Sequence, residues 1–322
     1  MKLRKRPPTE GGHKANIHLY SNLYSNTHSD DLAGFYDHAR AYGLPIPEVI
    51  ADGKIHRFKV EGDKRGSKNG WYVYFSYPVA AGAVGSWKTG ESYTWCSKSG
   101  KSLSQAEREA LKRQYHQARI QRNREQEQNQ QQAQAKAKGI LSRAVAADPE
   151  HRYLVNKQIQ PYNLKQYKDS VLAELRDIDG TLHSLQFIKP DGSKFFLKNG
   201  RIKGCFHAFG DLEGASVVHI AEGISTAATV HGWQKTPVLA AMNAGNLLPV
   251  GLAVRQAYPD IRIVFAGDND RFNPAGNVGK DKATEAARIC NGLVLLPEFP
   301  KGSTGTDWND YFCQQAGGVS NE

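Results

Sequence analysis

Acidic residues stand at three places in the C-terminal half of the chain where an apolar stretch has ended. Glu222 follows Val-Val-His-Ile-Ala, and Asp268-Asn269-Asp270 follows Ile-Arg-Ile-Val-Phe-Ala-Gly. Asp307 and Asp310 come further on. Carboxylates held close together repel one another, and a bound divalent cation would relieve that repulsion. Their oxygens are the hard ligands that suit Mg²⁺, which takes one or two carboxylates and shares itself with substrate phosphates.

The stretches before these carboxylates alternate with helical segments. Strands are predicted over 217–222, 237–241, 261–266 and 292–296, and helices through 226–228 and over 248–257 and 282–290. Such alternation predicts a parallel sheet with crossover helices, in which ligands bind outside the carboxyl ends of the strands. Asp-x-Asp alone is common in surface loops, but strand-Glu-Gly-helix followed by strand-Asp-x-Asp is a more specific signal for a functional site.

These acidic segments resemble a known domain. Residues 220–227 and 264–270 are similar to two motifs of the TOPRIM domain of topoisomerases and DnaG-type primases, and residues 306–311 resemble its third acidic motif in primases. Within this superfamily the chain most resembles primases of plasmids, phages and other mobile elements, the TraC-like type. The resemblance covers roughly residues 150–315 and extends weakly into 45–100.

The resemblance implies a fold and an activity. The fold is mixed, α/β and α+β, with a C-terminal Rossmann-like TOPRIM sheet that follows a strand-rich primase subdomain. The activity is that of a DNA primase, which makes short RNA primers on a single-stranded DNA template by Mg²⁺-dependent nucleotidyl transfer. The implied partners are single-stranded DNA, nucleoside triphosphates and a replicative helicase, in the replication of a mobile element.

Roles carry over from the resemblance one position at a time. Glu222 corresponds to the TOPRIM glutamate, which helps to bind metal or acts as a general acid or base. Asp268 and Asp270 would hold Mg²⁺ or Mn²⁺. Asp307 and Asp310 match the distal acidic pair and would assist a second metal ion or the incoming nucleotide.

The chain also departs from the DnaG pattern. DnaG has an N-terminal zinc-binding domain, but the cysteines here lie far apart without a Cys-x-x-Cys pair, so no zinc is expected. They are Cys96, Cys205, Cys290 and Cys313. The stretch after Asp270 is longer than the glycine turn of DnaG, and Gly276 to Lys280 is too short for a P-loop.

Basic residues cluster just before the TOPRIM region. Between 189 and 203 only Asp191 opposes five cations, which are Lys189, Lys194, Lys198, Arg201 and Lys203. In the primase interpretation they bind the template or the triphosphate by neutralising phosphate charge. The alternative is an ordinary solvated hairpin.

A small N-terminal α+β domain is predicted from a helix over 31–42 and strands over 55–60 and 71–75. The candidates for single-stranded DNA binding there are Lys64, Arg65, Lys68, Tyr72 and Tyr74. Cations and stackable rings are what such a surface needs. Because side chains alternate along a strand, Trp71, Val73 and Phe75 are predicted to face the core and the two tyrosines to face outward.

Composition sets the limits within which these interpretations stand. The 322 residues suggest two domains and carry a net charge of +10. Residues 1–150 hold 24 Lys and Arg against 15 Asp and Glu, whereas residues 151–322 hold 18 and 17. The basic half favours a polyanion partner, although many solvated surfaces are equally basic. A mean hydropathy of −0.58, without an apolar run near 20 residues, argues against a membrane protein, and the scattered cysteines fit the cytoplasm.

The predicted order has five segments. It comprises a mobile tail (1–30), the small α+β domain (31–100), a Gln- and Arg-rich helical linker (101–148), the strand-rich subdomain (149–213) and the TOPRIM domain (214–316). Two other functions stay open. One is a different TOPRIM enzyme, such as a nuclease, since the same carboxylates could hydrolyse a phosphodiester. The other is a non-enzymatic, single-stranded-DNA-binding accessory protein with a vestigial metal site.

Overall fold

The computed structural model describes residues 30–318, apart from residues 64, 88, 101 and 275. The predicted tail therefore lies almost wholly outside the described residues, and so does Lys64. The chain divides into two compact units, Met1–Gln126 and Glu127–Glu322. The boundary falls inside one continuous helix, α2 (Gln105–Leu141). The division into five segments stays a prediction.

The first unit is an antiparallel sheet covered on both faces by helices. Its strands, in sheet order, are β1 (His56–Phe58), β2 (Gly70–Phe75), β3 (Ala81–Ser86) and β4 (Ser92–Cys96). Helix α1 (residues 30–41) packs on one face through Phe35 and Ala39. The N-terminal part of α2 packs on the other face, where Ala118 contacts the cluster that contains Trp71. This arrangement agrees with the predicted α+β class.

The prediction that Tyr72 and Tyr74 stack on nucleic-acid bases is wrong for this structure. Both residues are 2% exposed, and they pack against Phe35 with ring centroids 6.5 and 5.1 Å from its own. The alternation along β2 does separate two faces, since Trp71 and Val73 lie on the opposite side. However, both faces are buried, because each is covered by a helix.

The second unit contains two five-stranded sheets. The first is antiparallel, and its strands in order are β5 (Val145–Ala146), β6 (Lys165–Tyr167), β7 (Ser170–Arg176), β8 (Leu182–Ile188) and β9 (Lys194–Phe196). The C-terminal part of α2 packs on it, with Ala137 fully buried against Leu172 and Leu185. This end of α2 is thus anchored rather than solvated on all sides. The short helix α3 (Arg152–Lys157) lies between β5 and β6 in the chain.

The second sheet of this unit is mostly parallel, as the sequence predicted. Its order is β10 (His207–Phe209), β12 (Val238–Ala240), β11 (Val217–Ala221), β13 (Arg262–Ala266) and β14 (Leu293–Leu295), and only β10 runs antiparallel to its neighbour. Its helices are α4 (Ile224–Gln234), α5 (Leu247–Ala257), α6 (Val278–Cys290) and α7 (Trp308–Gly318). Neighbouring strand residues face opposite layers, so Ala221 joins the core with α4 and Ile220 joins the core with α5 and α6.

Among the described residues, no helix combines the length and the apolar character needed to cross a membrane.

A partly buried ion cluster fixes the turn between β7 and β8. The Asp177 carboxylate accepts hydrogen bonds from Thr181 N (3.0 Å) and Arg201 Nη2 (2.9 Å), and it lies 2.6 Å from His183 Nε2. Burial raises the pKa of Asp177, but the His183 and Thr181 hydrogen bonds and the Arg201 charge outweigh burial and lower it. Replacing this carboxylate would therefore leave several donors without their acceptor.

We expect Asp177→Asn to lower the free energy of unfolding at pH 7 by roughly 1–3 kcal/mol, which is typical for a lost hydrogen bond to a charged group. Since the folded-state pKa lies below the ordinary value of 3.8, the stabilisation by Asp177 is present above that pH and is lost as acid protonates the folded carboxyl. Urea unfolding at pH 7 and pH 3 should show the difference between variant and wild type shrinking in acid. A difference independent of pH would contradict the ionic role.

Candidate active site

The first two acidic motifs leave the parallel sheet at one edge. Strands β11 and β13 are neighbours in register, with Ala221 opposite Ala266. Glu222 follows directly on Ala221, and Gly223 is the N-cap of α4. Asp268 comes two residues after the end of β13. The sheet register therefore brings the two motifs together, although 46 residues separate Glu222 from Asp268 in the sequence.

Asp268 lies at the centre of a carboxylate cluster. Burial raises its pKa to about 8, and further increases come from the negative charges of Glu222, Asp307, Asp270 and Asp310. Its Oδ1 is buried and has no hydrogen-bond partner among the described residues. An unpaired carboxylate oxygen among other carboxylates is costly unless a cation or a proton neutralises it.

Glu222 and Asp307 share this environment. Burial raises the pKa of Glu222, with a further contribution from the charge of Asp270, while a hydrogen bond from the Ala244 backbone N–H opposes the rise. Burial also raises the pKa of Asp307, against a hydrogen bond from Asp310 N at 2.7 Å. The five acidic residues predicted from the sequence thus form one electrostatic cluster, in which the charges of the other four act on Asp268.

Backbone donors at the start of α6 hold Asp270. Gly279 N donates to Asp270 Oδ2 at 3.0 Å, and Asp270 N donates to Asn277 Oδ1 at 2.9 Å. Asn277 is the N-cap of α6 and also accepts from Lys280 N. A Cβ atom at Gly279 would lie 2.8 Å from the Asp268 carbonyl oxygen and 3.0 Å from Asp270 Oδ2. The absence of a side chain at Gly279 therefore lets the helix approach both carboxylates.

The third motif is joined to the second by hydrogen bonds. Asn269 N donates to Thr306 O at 2.6 Å, and Thr306 N donates to Asp310 Oδ2 at 3.1 Å. Asp307 precedes α7 and accepts from Asp310 N, as an N-cap side chain does. The two distal aspartates are therefore fixed by the start of α7 rather than free in a loop.

Of the five predicted basic residues, the structure brings Lys194 to the carboxylates. Lys194 is exposed at the surface, yet partial desolvation of its ammonium group and the Lys157 ammonium lower its pKa, while the charges of Asp307, Asp268 and Glu222 oppose this. Two others are engaged elsewhere, since Lys189 pairs with Asp169 at 3.3 Å and Arg201 pairs with Asp177 at 2.9 Å. The remaining two, Lys198 and Lys203, are exposed, as are Arg65 and Lys68 in the first unit.

The Toprim domain family matches residues 217–317. These residues form a Toprim domain. The match covers β11 to β14 and α4 to α7, so it contains all five carboxylates of the cluster.

Two relatives that match most of the chain are named as DNA primases. One DNA primase TraC of Escherichia coli is 34% identical over 262 residues, which cover 79% of this chain and 25% of the relative. A second, from the same species, is 32% identical over 276 residues, covering 83% and 19%. The resemblance to TraC-like TOPRIM primases is thus confirmed, and the chain spans a quarter or less of the length of these relatives. The primase fragment of the bacteriophage T7 primase-helicase protein gives a TM-score of 0.40 at 20% identity, covering 51% of this chain and 69% of that one.

The carboxylates of the Toprim domain suit a hard cation that is shared with a substrate. No three His, Cys, Asp or Glu side chains in the described part of the chain are grouped closely enough to hold a metal ion unaided. Mg²⁺ does not require such a cage, because it keeps several waters and completes its shell with phosphate oxygens. The unpaired Oδ1 of Asp268 and the neighbouring carboxylate of Asp270 fit this mode of binding.

Two residues beside the Toprim domain were missed in the sequence. Lys157 Nζ, at the end of α3, lies 3.8 Å from Asp310 Oδ1. Tyr153, also in α3, has its ring 5.7 Å from Lys194 Nζ. No motif surrounds these residues, so only the tertiary contact reveals them.

A buried amide joins the strand-rich part to the Toprim domain. Asn246 Nδ2 donates to Ile202 O, Cys205 O and Ala241 O at 2.7–3.1 Å, and its Oδ1 accepts from Gly204 N at 2.8 Å. Asn246 is 4% exposed, so breaking these bonds would leave buried polar groups unpaired. The turn that carries Lys203 is therefore fastened to the start of α5.

Proposed function

We propose that this chain is the catalytic part of a DNA primase, which synthesises short RNA primers on single-stranded DNA by Mg²⁺-dependent nucleotidyl transfer. The observation that carries the proposal is the cluster of five interacting carboxylates at one edge of the Toprim sheet, with a buried Asp268 oxygen that has no hydrogen-bond partner in the described part of the chain. The similarity to the primases named TraC supports it.

The acidic residues would divide the work of the site. Asp268 and Asp270 would hold the metal ion, and Asp307 and Asp310 would support a second ion or the incoming nucleotide. When bound, the metal neutralises phosphate charge and increases the acidity of the attacking hydroxyl. Burial and the charge of Asp270 raise the pKa of Glu222, so its carboxyl group holds a proton more readily than an exposed glutamate and can act as a general acid or base.

The cations at the margin of the cluster would bind the other charges of the reaction. Lys194 in β9 and Lys157 in α3 both lie beside the acidic cluster. Their ammonium groups would therefore be able to bind an anionic phosphate at the cluster. Positive side chains beside acidic residues suit the binding of a triphosphate, because the metal ion and the cations together would neutralise the charge of its phosphates. The exposed Lys198 and Lys203 would guide the template.

A primer-synthesis assay tests this function. The chain is incubated with unlabelled single-stranded DNA and radiolabelled ribonucleoside triphosphates, with Mg²⁺ or with EDTA. We expect labelled oligoribonucleotides with Mg²⁺ only. No labelled product under any condition would contradict primase activity of this chain, and shortened DNA would identify the nuclease alternative. Binding of the single-stranded DNA without primer synthesis or cleavage would identify the accessory-protein alternative.

The proposed partners are the single-stranded template, nucleoside triphosphates and a replicative helicase, in the replication of a plasmid or phage. Manganese is proposed as a substitute for magnesium because both prefer oxygen ligands. The four cysteines are free thiols, in keeping with the predicted reducing compartment.

A further inference from the structure

A cavity of about 830 Å³ lies within the first unit, between the antiparallel sheet and α2. Its size falls within the range typical of small-molecule sites, roughly 300–1,000 Å³. The apolar part of its lining consists largely of Ile55, Trp71, Val73, Ala83 and Ala118. Where sheet and helix face each other, Ala83 and Ala118 are small, and a larger side chain at either position would occupy the space.

The mouth of this cavity is basic. Four cations of α2 line it, namely Lys112, Arg113, Arg119 and Arg122, and Glu109 is the one acidic residue of its described lining. The ion pairs that the structure shows in this unit involve other cations, such as Arg57 with Glu125 and Lys98 with Glu107. Lys112, Arg113 and Arg119 are exposed, so their charges are available to an anion.

One cation of the lining packs on an aromatic ring. The guanidinium carbon of Arg122 lies 5.3 Å from the centroid of the Trp71 ring, a cation–π arrangement at the wall of the cavity. An apolar ligand alone would not use the four cations, and inorganic phosphate alone would not use the apolar wall. A ligand with a flat, weakly polar ring and an attached phosphate matches both parts of the lining.

We propose that this cavity binds a nucleotide, with the base between the sheet and α2 and the phosphate on Lys112 and Arg119. The nucleotide is either one unit of a single strand or a free nucleoside phosphate, which share this chemistry. Trp71 is 4% exposed and lies under Arg122, so it forms part of the wall and is not a stacking surface. The site consists of residues of the first unit alone, so the proposal does not depend on primer synthesis.

The test compares binding by charge-matched variants of the full chain. Affinity for a fluorescent oligothymidylate and for a fluorescent ATP analogue is measured in EDTA, so that a metal-dependent site does not contribute. We expect the double variant Lys112→Gln, Arg119→Gln to weaken binding of at least one probe about tenfold and to reduce its salt dependence, since each lost phosphate contact lowers the salt slope. The control Lys54→Gln, Lys59→Gln removes two exposed charges of the same unit that are not part of the cavity lining.

A space-filling variant tests the apolar part. Ala83→Leu should weaken binding of the same probe while circular dichroism shows that the chain is folded. If the leucine disrupts the sheet, Ala118→Leu on α2 replaces it, and the charge pair decides independently of both. Equal losses in the two charge-pair variants, or full binding with a filled cavity, would overturn the proposal. Competition by unlabelled ATP against the oligothymidylate distinguishes a free nucleotide from a unit of a strand.

Discussion

Asp268→Asn and Glu222→Gln will each reduce primer synthesis by on the order of 10²-fold or more, without loss of the fold. In the first variant the central oxygen ligand of the cluster becomes an amide, which binds a hard cation poorly. In the second, the group able to take up a proton is lost, although the side chain keeps its shape. The measurement is the rate of incorporation of labelled ribonucleotide on a single-stranded template at saturating Mg²⁺.

The matched control is Asp260→Asn, an exposed aspartate in the turn before β13 of the same domain. It removes the same charge from the chain, so it should synthesise primers at the wild-type rate. Circular dichroism of all three variants should match the wild type. Wild-type rates in both cluster variants would show that the site is assigned to the wrong residues, whatever the activity of the chain.

We expect a divalent cation to stabilise the Toprim domain, and we expect Asp268→Asn to remove most of this effect. Five carboxylates that repel one another destabilise the metal-free fold, and burial adds to the cost at Asp268. We therefore expect Mg²⁺ to raise the unfolding temperature of the wild type. A cation at ten times its Kd contributes about 1.4 kcal/mol. In a domain of this size, each kcal/mol raises the unfolding temperature by roughly 2–4 °C.

In EDTA at pH 9, above the raised pKa of about 8 at Asp268, Asp268→Asn should unfold at a higher temperature than the wild type, because it removes one of the repelling charges while keeping the shape of the side chain. Its response to Mg²⁺ should be small. Differential scanning calorimetry of both proteins with EDTA and with Mg²⁺ gives the four values. A variant that is less stable than the wild type in EDTA, and that still responds to Mg²⁺, would argue against a metal site at Asp268.

The sheet of the Toprim domain could be predicted because its signals are local. Three of the parallel strands, β11, β13 and β14, are apolar runs closed by an acidic residue, glycine or proline, and α4 begins three positions after β11. The acidic motifs lie at those ends, so the parallel register brings them together. Once Ala221 pairs with Ala266, Glu222 and the loop of Asp268 emerge at the same edge. The prediction of a shared carboxylate site followed from this rule alone.

The parts that escaped prediction depend on contacts between distant residues. Strand β3 reads Ala-Gly-Ala-Val-Gly-Ser, in which Val84 is the one β-branched residue and no residue is aromatic, yet it is buried throughout because helices cover both faces of its sheet. Tyr72 and Tyr74 were misjudged for the same reason. Lys157 reaches Asp310 across 153 positions of sequence, and no spacing rule indicates such a pair.

Gly279 shows that tolerance to substitution need not follow chemical reactivity. It has no functional group, yet an alanine there would place a methyl carbon against the backbone of Asp268 and the carboxylate of Asp270. A substitution scan of the chain should find this glycine as intolerant as the aspartates themselves. The signature of the site is accordingly longer than its acidic residues, and it extends from Asp268 to a glycine eleven positions later.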